Sequence, residues 1–142
     1  MYKLPIILLF VCVSFVSKGQ LIADSGRTNL NRLCDRFMQT FSTGKYSDAF
    51  QLLKQQTSMD KGFVDNLNKT LNEQMENILV SFKKITGYEL IEEKSINNVL
   101  VRRRYLLKLE LYFLSFDFYL YNNGSNWLLS GFYYSDNQQA LF

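Results

Sequence analysis

The chain has 142 residues, with 16 Lys and Arg against 13 Asp and Glu, two cysteines and no histidine. Without histidine there is no Ser-His-Asp triad, no Cys-His pair and no imidazole-ligated zinc. Part of the positive charge belongs to an N-terminal leader, and the remainder of the chain is nearly neutral, with no electrostatic basis for nucleic-acid binding.

Residues 1–19 read as a secretory signal. Lys3 lies near the start, Leu4 to Val16 is apolar, and small Ser17 and Gly19 occupy −3 and −1 of a cut before Gln20. An uncleaved membrane anchor is the alternative, but a run of that length makes roughly 20 Å of helix against a hydrocarbon core of ~30 Å. A lipoprotein anchor needs a small-residue motif before its cysteine, and Cys12 follows Leu9-Phe10-Val11. The expectation is a secreted or periplasmic chain with a signal peptide over 1–19, one domain over 20–142 and no membrane span after cleavage. Cys34 is then the only cysteine left, so no intramolecular disulfide forms. Its place on an apolar helix face predicts a buried, inert thiol.

From Leu30, apolar residues at Leu33, Cys34, Phe37, Met38 and Phe41 follow helical spacing until Thr43-Gly44. A second helix restarts with Ser47 as N-cap and runs through Phe50, Leu52 and Leu53. A third, from Ser58 or Asp60, carries Phe63, Val64, Leu67, Leu71, Met75, Ile78, Leu79 and Phe82 on one stripe, with Gly87 as its stop. The period then becomes two. Strands are expected over 88–96, 99–111, 115–122 and 127–134, with turns at Asn97-Asn98 and Asn123-Gly124. Helices followed by an antiparallel meander predict an α+β domain, with three helices packed on one face of a curved four-stranded sheet.

Two stretches, "GKYSDAFQLL" from Gly44 to Leu53 and "FDFYLYNNGSNWLLSGF" from Phe116 to Phe132, carry a resemblance. The chain resembles the nuclear-transport-factor-2-like superfamily, the cone-shaped α+β roll also called cystatin-like, and looks most like small secreted bacterial members of uncharacterised function. The resemblance implies a curved sheet wrapped around a long helix, with a mouth that can hold a ligand. Some relatives are isomerases, dehydratases or cyclases, and many are binding or dimerisation modules. No catalytic residue, cofactor or metal is carried over, because the shared patterns concern packing and turns.

The stretch Phe116 to Tyr121 sets Asp117 among aromatics. A hairpin between Leu111 and Leu114 pairs Asp117 with Lys108, and a two-residue turn at Asn123-Gly124 sets Phe118 opposite Leu129, Leu120 opposite Trp127, and Asp117 beside Ser130. Phe116, Phe118 and Leu120 then face the helices. Asp117 faces away, with a cation beside it. By the same parity Tyr119, Tyr121, Leu128, Phe132 and Tyr134 share the outer face. Such an aromatic face calls for a cover: a second copy in a homodimer, a lipidic or aromatic ligand, or the chain's own end folding back over Gln138 to Phe142. Arg103 alternates with Val101 and Tyr105 and so points inward, away from Arg102 and Arg104, and the three arginines cannot form one patch. Arg103 and Tyr105 are therefore candidates for binding an acidic or other small ligand at the mouth between the sheet and the third helix. Alternatively, Arg103 pairs with a helix acid such as Glu73 or Glu76. The reading is of a non-catalytic binding or dimerisation module, with a small-molecule carrier or isomerase-like enzyme as the alternative.

Overall fold

A computed structural model describes residues 18–142, with side chains from residue 25 onward. The signal expected over 1–19 lies outside the described residues except Lys18 and Gly19, which begin the first helix. Three helices, α1 (Lys18–Ser42), α2 (Tyr46–Gln56) and α3 (Lys61–Phe82), precede the strands β1 (Ile85–Ile96), β2 (Leu100–Leu109), β3 (Phe113–Asn122) and β4 (Trp127–Ser135), and a short 3₁₀ turn spans Gln138–Leu141. The strands form an open antiparallel sheet in the order β1-β2-β3-β4. This is the α+β order expected from the sequence. No helix among the described residues is long and apolar enough to cross a membrane.

The stripe Leu30, Leu33, Cys34, Phe37, Met38 and Phe41 is buried, and Gly44 (φ +85°) turns the chain out of α1. α2 begins one residue before the expected cap, so Ser47 is inside the helix and its hydroxyl points to the Asn68 side chain. Asp60 caps α3, accepting from the Phe63 N–H at 2.9 Å. That helix ends at Phe82, where Lys83 takes φ +67°. Gly87, expected to stop it, lies instead in β1 opposite Lys108.

The helix seated on the sheet is α1, which touches all four strands, whereas α3 packs on α2. This corrects the expectation of a cone between the sheet and α3. The spacing of α3 is as regular as that of α1, but Val64, Leu71 and Met75 are its buried positions and Phe63 is 50% exposed. Between sheet and helices the interior is filled by aromatic rings. Phe37 lies 5.2–6.3 Å, centroid to centroid, from Phe50, Phe116, Phe118 and Phe132, and 5.6 Å from Phe41.

The last two hairpins turn differently from what the sequence suggested. Leu109 N–H donates to the Tyr112 carbonyl at 2.8 Å, so Leu111 sits exposed in the β2–β3 turn rather than in a strand. Asn122 pairs with Trp127, leaving a four-residue loop in which the Asn123 side chain accepts from the Ser125 and Asn126 N–H groups. Gly124 has positive φ and Asn123 does not, so the expected type I′ turn is absent. An Asx-type cap has replaced it.

Candidate functional site

One polar cluster lies on the core side, where α1 passes over β1 and β2. Arg103 is 6% exposed. Its Nη1 donates to Glu93 Oε2 at 2.6 Å, its Nη2 to Asp35 Oδ1 at 3.1 Å, and its Nε and Nη2 to the Tyr105 hydroxyl at 3.1 and 2.9 Å. The Tyr105 hydroxyl donates to Asp35 Oδ1 at 2.5 Å. Glu93 also receives Arg27 at 2.7 Å, and the Arg27 guanidinium lies over the Trp127 ring at 5.7 Å. Two cations therefore meet two carboxylates. Burial pulls the Arg103 guanidinium down, but the Tyr105 hydrogen bonds and the Asp35 charge more than offset it and hold it above its ordinary value.

Arg103 thus points inward, as strand parity requires, but its partners are Asp35 of α1 and Glu93 of β1. Neither Glu73 nor Glu76 of α3 reaches it. Glu93 arrives on this side because β1 bulges between Leu90 and Glu92, which reverses the alternation downstream. With its guanidinium held by two carboxylates and a phenol, the cluster ties α1 to the sheet. A ligand reaching Arg103 would have to displace Glu93 or Asp35.

Beside this cluster the Cys34 thiol is fully buried, and desolvation pushes it up to about 12. Burial, and donation to Asp35, likewise raise Tyr105 above its ordinary phenol value. Both groups are acids whose neutral form is favoured in the folded state. Their contribution to stability is present below the unfolded thiol pKa near 9.0 and is lost as pH rises above it. Chemical denaturation midpoints are accordingly expected to fall steadily above about pH 9. Cys34 in the native protein should react with an aromatic disulfide reagent only at the rate of unfolding. Fast native-state labelling at pH 8, or an alkaline limb unchanged in Cys34→Ala, would contradict this.

On the other side of the sheet Asp117 faces away from the helices, as expected, yet it is only 4% exposed. Its partner is Arg104, not Lys108. Arg104 Nε and Nη2 donate to the two carboxylate oxygens at 2.7 and 2.8 Å in a bidentate pair. The register differs from the expected one by an even number of residues, so the face is right and the partner is not. The hydrogen bond to Asp117 holds the Arg104 guanidinium above its ordinary value despite burial. Arg104 Nη1 also donates to the Ala140 carbonyl at 3.1 Å, so the C-terminal turn folds back over this pair.

The remaining outer face is ordered by cross-strand rows. Ile96, Leu100, Tyr121 and Leu128 form an apolar row across all four strands. Other charges of this face are paired within the chain: Lys94 and Arg102, next to the row, with Glu92, which these hydrogen bonds hold below the usual carboxylate range, and Lys108, at the far end of the sheet, with Glu89. No protein family, curated protein or solved structure matches the chain. Fold and side-chain geometry are therefore what bear on function.

A β-bulge beside Tyr119 and Leu120 sorts the sequence-derived face residues. Tyr119, Tyr121 and Leu128 are on the outer face, with the Tyr119 ring packed across Gly131, where an added Cβ would lie 3.3 Å from it. Phe132 and Tyr134 were expected beside them. The extra residue carries both to the helix side: Phe132 is 6% exposed within the Phe37 cluster, and Tyr134 packs at its edge. Among the described residues no group of three or more His, Cys, Asp or Glu side chains is placed to hold a metal ion. Asp35 and Glu93 were missed by sequence reading. Asp35 flanks an apolar stripe and carried a signal, whereas Glu93 is hidden by the bulge.

Proposed function

We propose that the chain is a secreted, non-catalytic binding module that pairs with a second copy of itself through the solvent side of its sheet. The observation carrying this reading is the row Ile96, Leu100, Tyr121 and Leu128, because the solvent side of an antiparallel sheet is ordinarily polar. Ile96 is 65% exposed and Tyr121 40%. Four strands at ~4.8 Å spacing and some nine residues at ~3.3 Å give roughly 600 Å² in plan, part of it under the C-terminal turn, so the pairing is smaller than the ~800 Å² per partner of ordinary interfaces and is expected to be concentration-dependent. Since the adjoining charges are already paired, a second copy would meet no unmatched like charge. The resemblance to the nuclear-transport-factor-2-like superfamily, in which dimerisation modules are common, is in keeping with this reading, and the leader sequence supports export.

An interior ligand or an isomerase-like reaction has less support, because Arg103 and Tyr105 are engaged by Asp35 and Glu93, and aromatic rings occupy the space under the sheet. In sedimentation analysis the chain beginning at Gln20 is expected to show a reversible, concentration-dependent dimer. Tyr121→Glu and Ile96→Glu should each weaken it about tenfold or more while leaving the circular dichroism spectrum unchanged. A monomer at every concentration, or dimers insensitive to both changes, would overturn the reading. Phe132→Glu is no such test, because it would place a charge in the core.

A further inference from the structure

Where the end of β4 meets α3, a cleft of about 450 Å³ opens to solvent, floored by Ile78 and Leu114. That volume lies within the range of small-molecule sites. Its polar walls are Gln74 and Asn77 of α3 and Ser135 and Asp136 at the end of β4; Tyr133 also borders it, but pairs with Asp117 and so turns its ring to the other face of the sheet. The Tyr134 hydroxyl donates to Gln74 Oε1 at 2.9 Å. The oxygen of that amide is thereby occupied and its NH₂ is left as a donor. Asp136 is positioned by its own backbone, whose carbonyl accepts from the Tyr112 hydroxyl at 3.1 Å, and no ion pair within the described residues uses its carboxylate.

We infer that this cleft binds a neutral, hydroxyl-rich ligand, a sugar ring or polyol. Each ligand hydroxyl both donates and accepts. The site offers both complements: amide donors from Gln74 and Asn77, and a carboxylate acceptor from Asp136. No lysine or arginine among the described residues lines the cleft, so a phosphate or carboxylate would find no counter-charge from them. This site is separate from the Ile96 row and does not depend on dimerisation.

The test is an NMR titration of the chain from Gln20 with glucose, galactose, mannose and N-acetylglucosamine in turn, following the Gln74 and Asn77 side-chain amides. At least one sugar is expected to give saturating shifts, with a dissociation constant on the order of millimolar. Asn77→Leu and Asp136→Ala, both at exposed positions, should weaken it about tenfold, with amide signals elsewhere unmoved. Tyr121→Glu should leave it unchanged. The inference is overturned if no sugar gives saturating shifts, if Asn77→Leu binds as the parent does, or if only choline or inorganic phosphate moves those amides.

Discussion

Phe37→Ala is expected to cost about 3–5 kcal/mol of folding stability, a large share of the ~5–15 kcal/mol available to a domain of this size. Phe37 is fully buried at the meeting point of α1, α2 and three strand phenylalanines. Its ring is edge-on to Phe50 and Phe118, at interplanar angles of 90° and 75°. Truncation removes the transfer free energy of the ring, several favourable ring pairs, and the filling of a space that rigid β3 and β4 cannot collapse into. Phe37→Leu keeps most of the volume and should lose markedly less. Urea denaturation of both variants measures the difference. A loss below ~1.5 kcal/mol in the alanine variant would mean that the interior yields, and would revive an internal ligand cavity.

The second large effect is expected at Asp117. Asp117→Ala leaves the Arg104 guanidinium on a covered part of the sheet with the Ala140 carbonyl as its only remaining hydrogen-bond partner among the described residues, at a cost of about 3–5 kcal/mol. The pair itself is a weaker asset than that figure suggests, because bringing both ions out of water offsets most of their attraction. The double variant Arg104→Met, Asp117→Leu should therefore recover most of the lost stability. A double-mutant cycle measures the coupling directly. If Asp117→Ala changed stability by less than ~1 kcal/mol, the pair would behave as a solvent-screened surface bridge and the C-terminal turn would not be covering it.

These residues show which parts of the molecule were legible in the sequence. The helical stripe from Leu30 to Phe41 and the alternation from Val101 to Leu109 were readable because each covers several turns or residues of one period. The face of Asp117 was readable too, since side-chain parity survives an even register error. Its partner was not, because Leu109 to Tyr112 contains neither glycine nor asparagine to mark the turn. Phe132 and Tyr134 failed for a related reason. A single extra residue in β4, Ser130, inverts the alternation, and the Gly131 beside it is a sign that fits a close backbone approach as well as a bulge.

By itself the sequence determined the fold class, the order of elements, the buried face of α1, the inward direction of Arg103 and the outward direction of Asp117. All of these derive from local periodicity, which the backbone geometry of each helix or strand imposes. Only the tertiary structure decided which helix rests on the sheet, that Arg103 is held by Asp35 and Glu93, that Arg104 is the partner of Asp117, and that Gln74, Asn77 and Asp136 share a cleft. Those pairings join residues distant in the chain. They depend on register, bulges and helix docking, where amphipathic stripes as similar as those of α1 and α3 compete for the same sheet and the better-fitting aromatic interior decides.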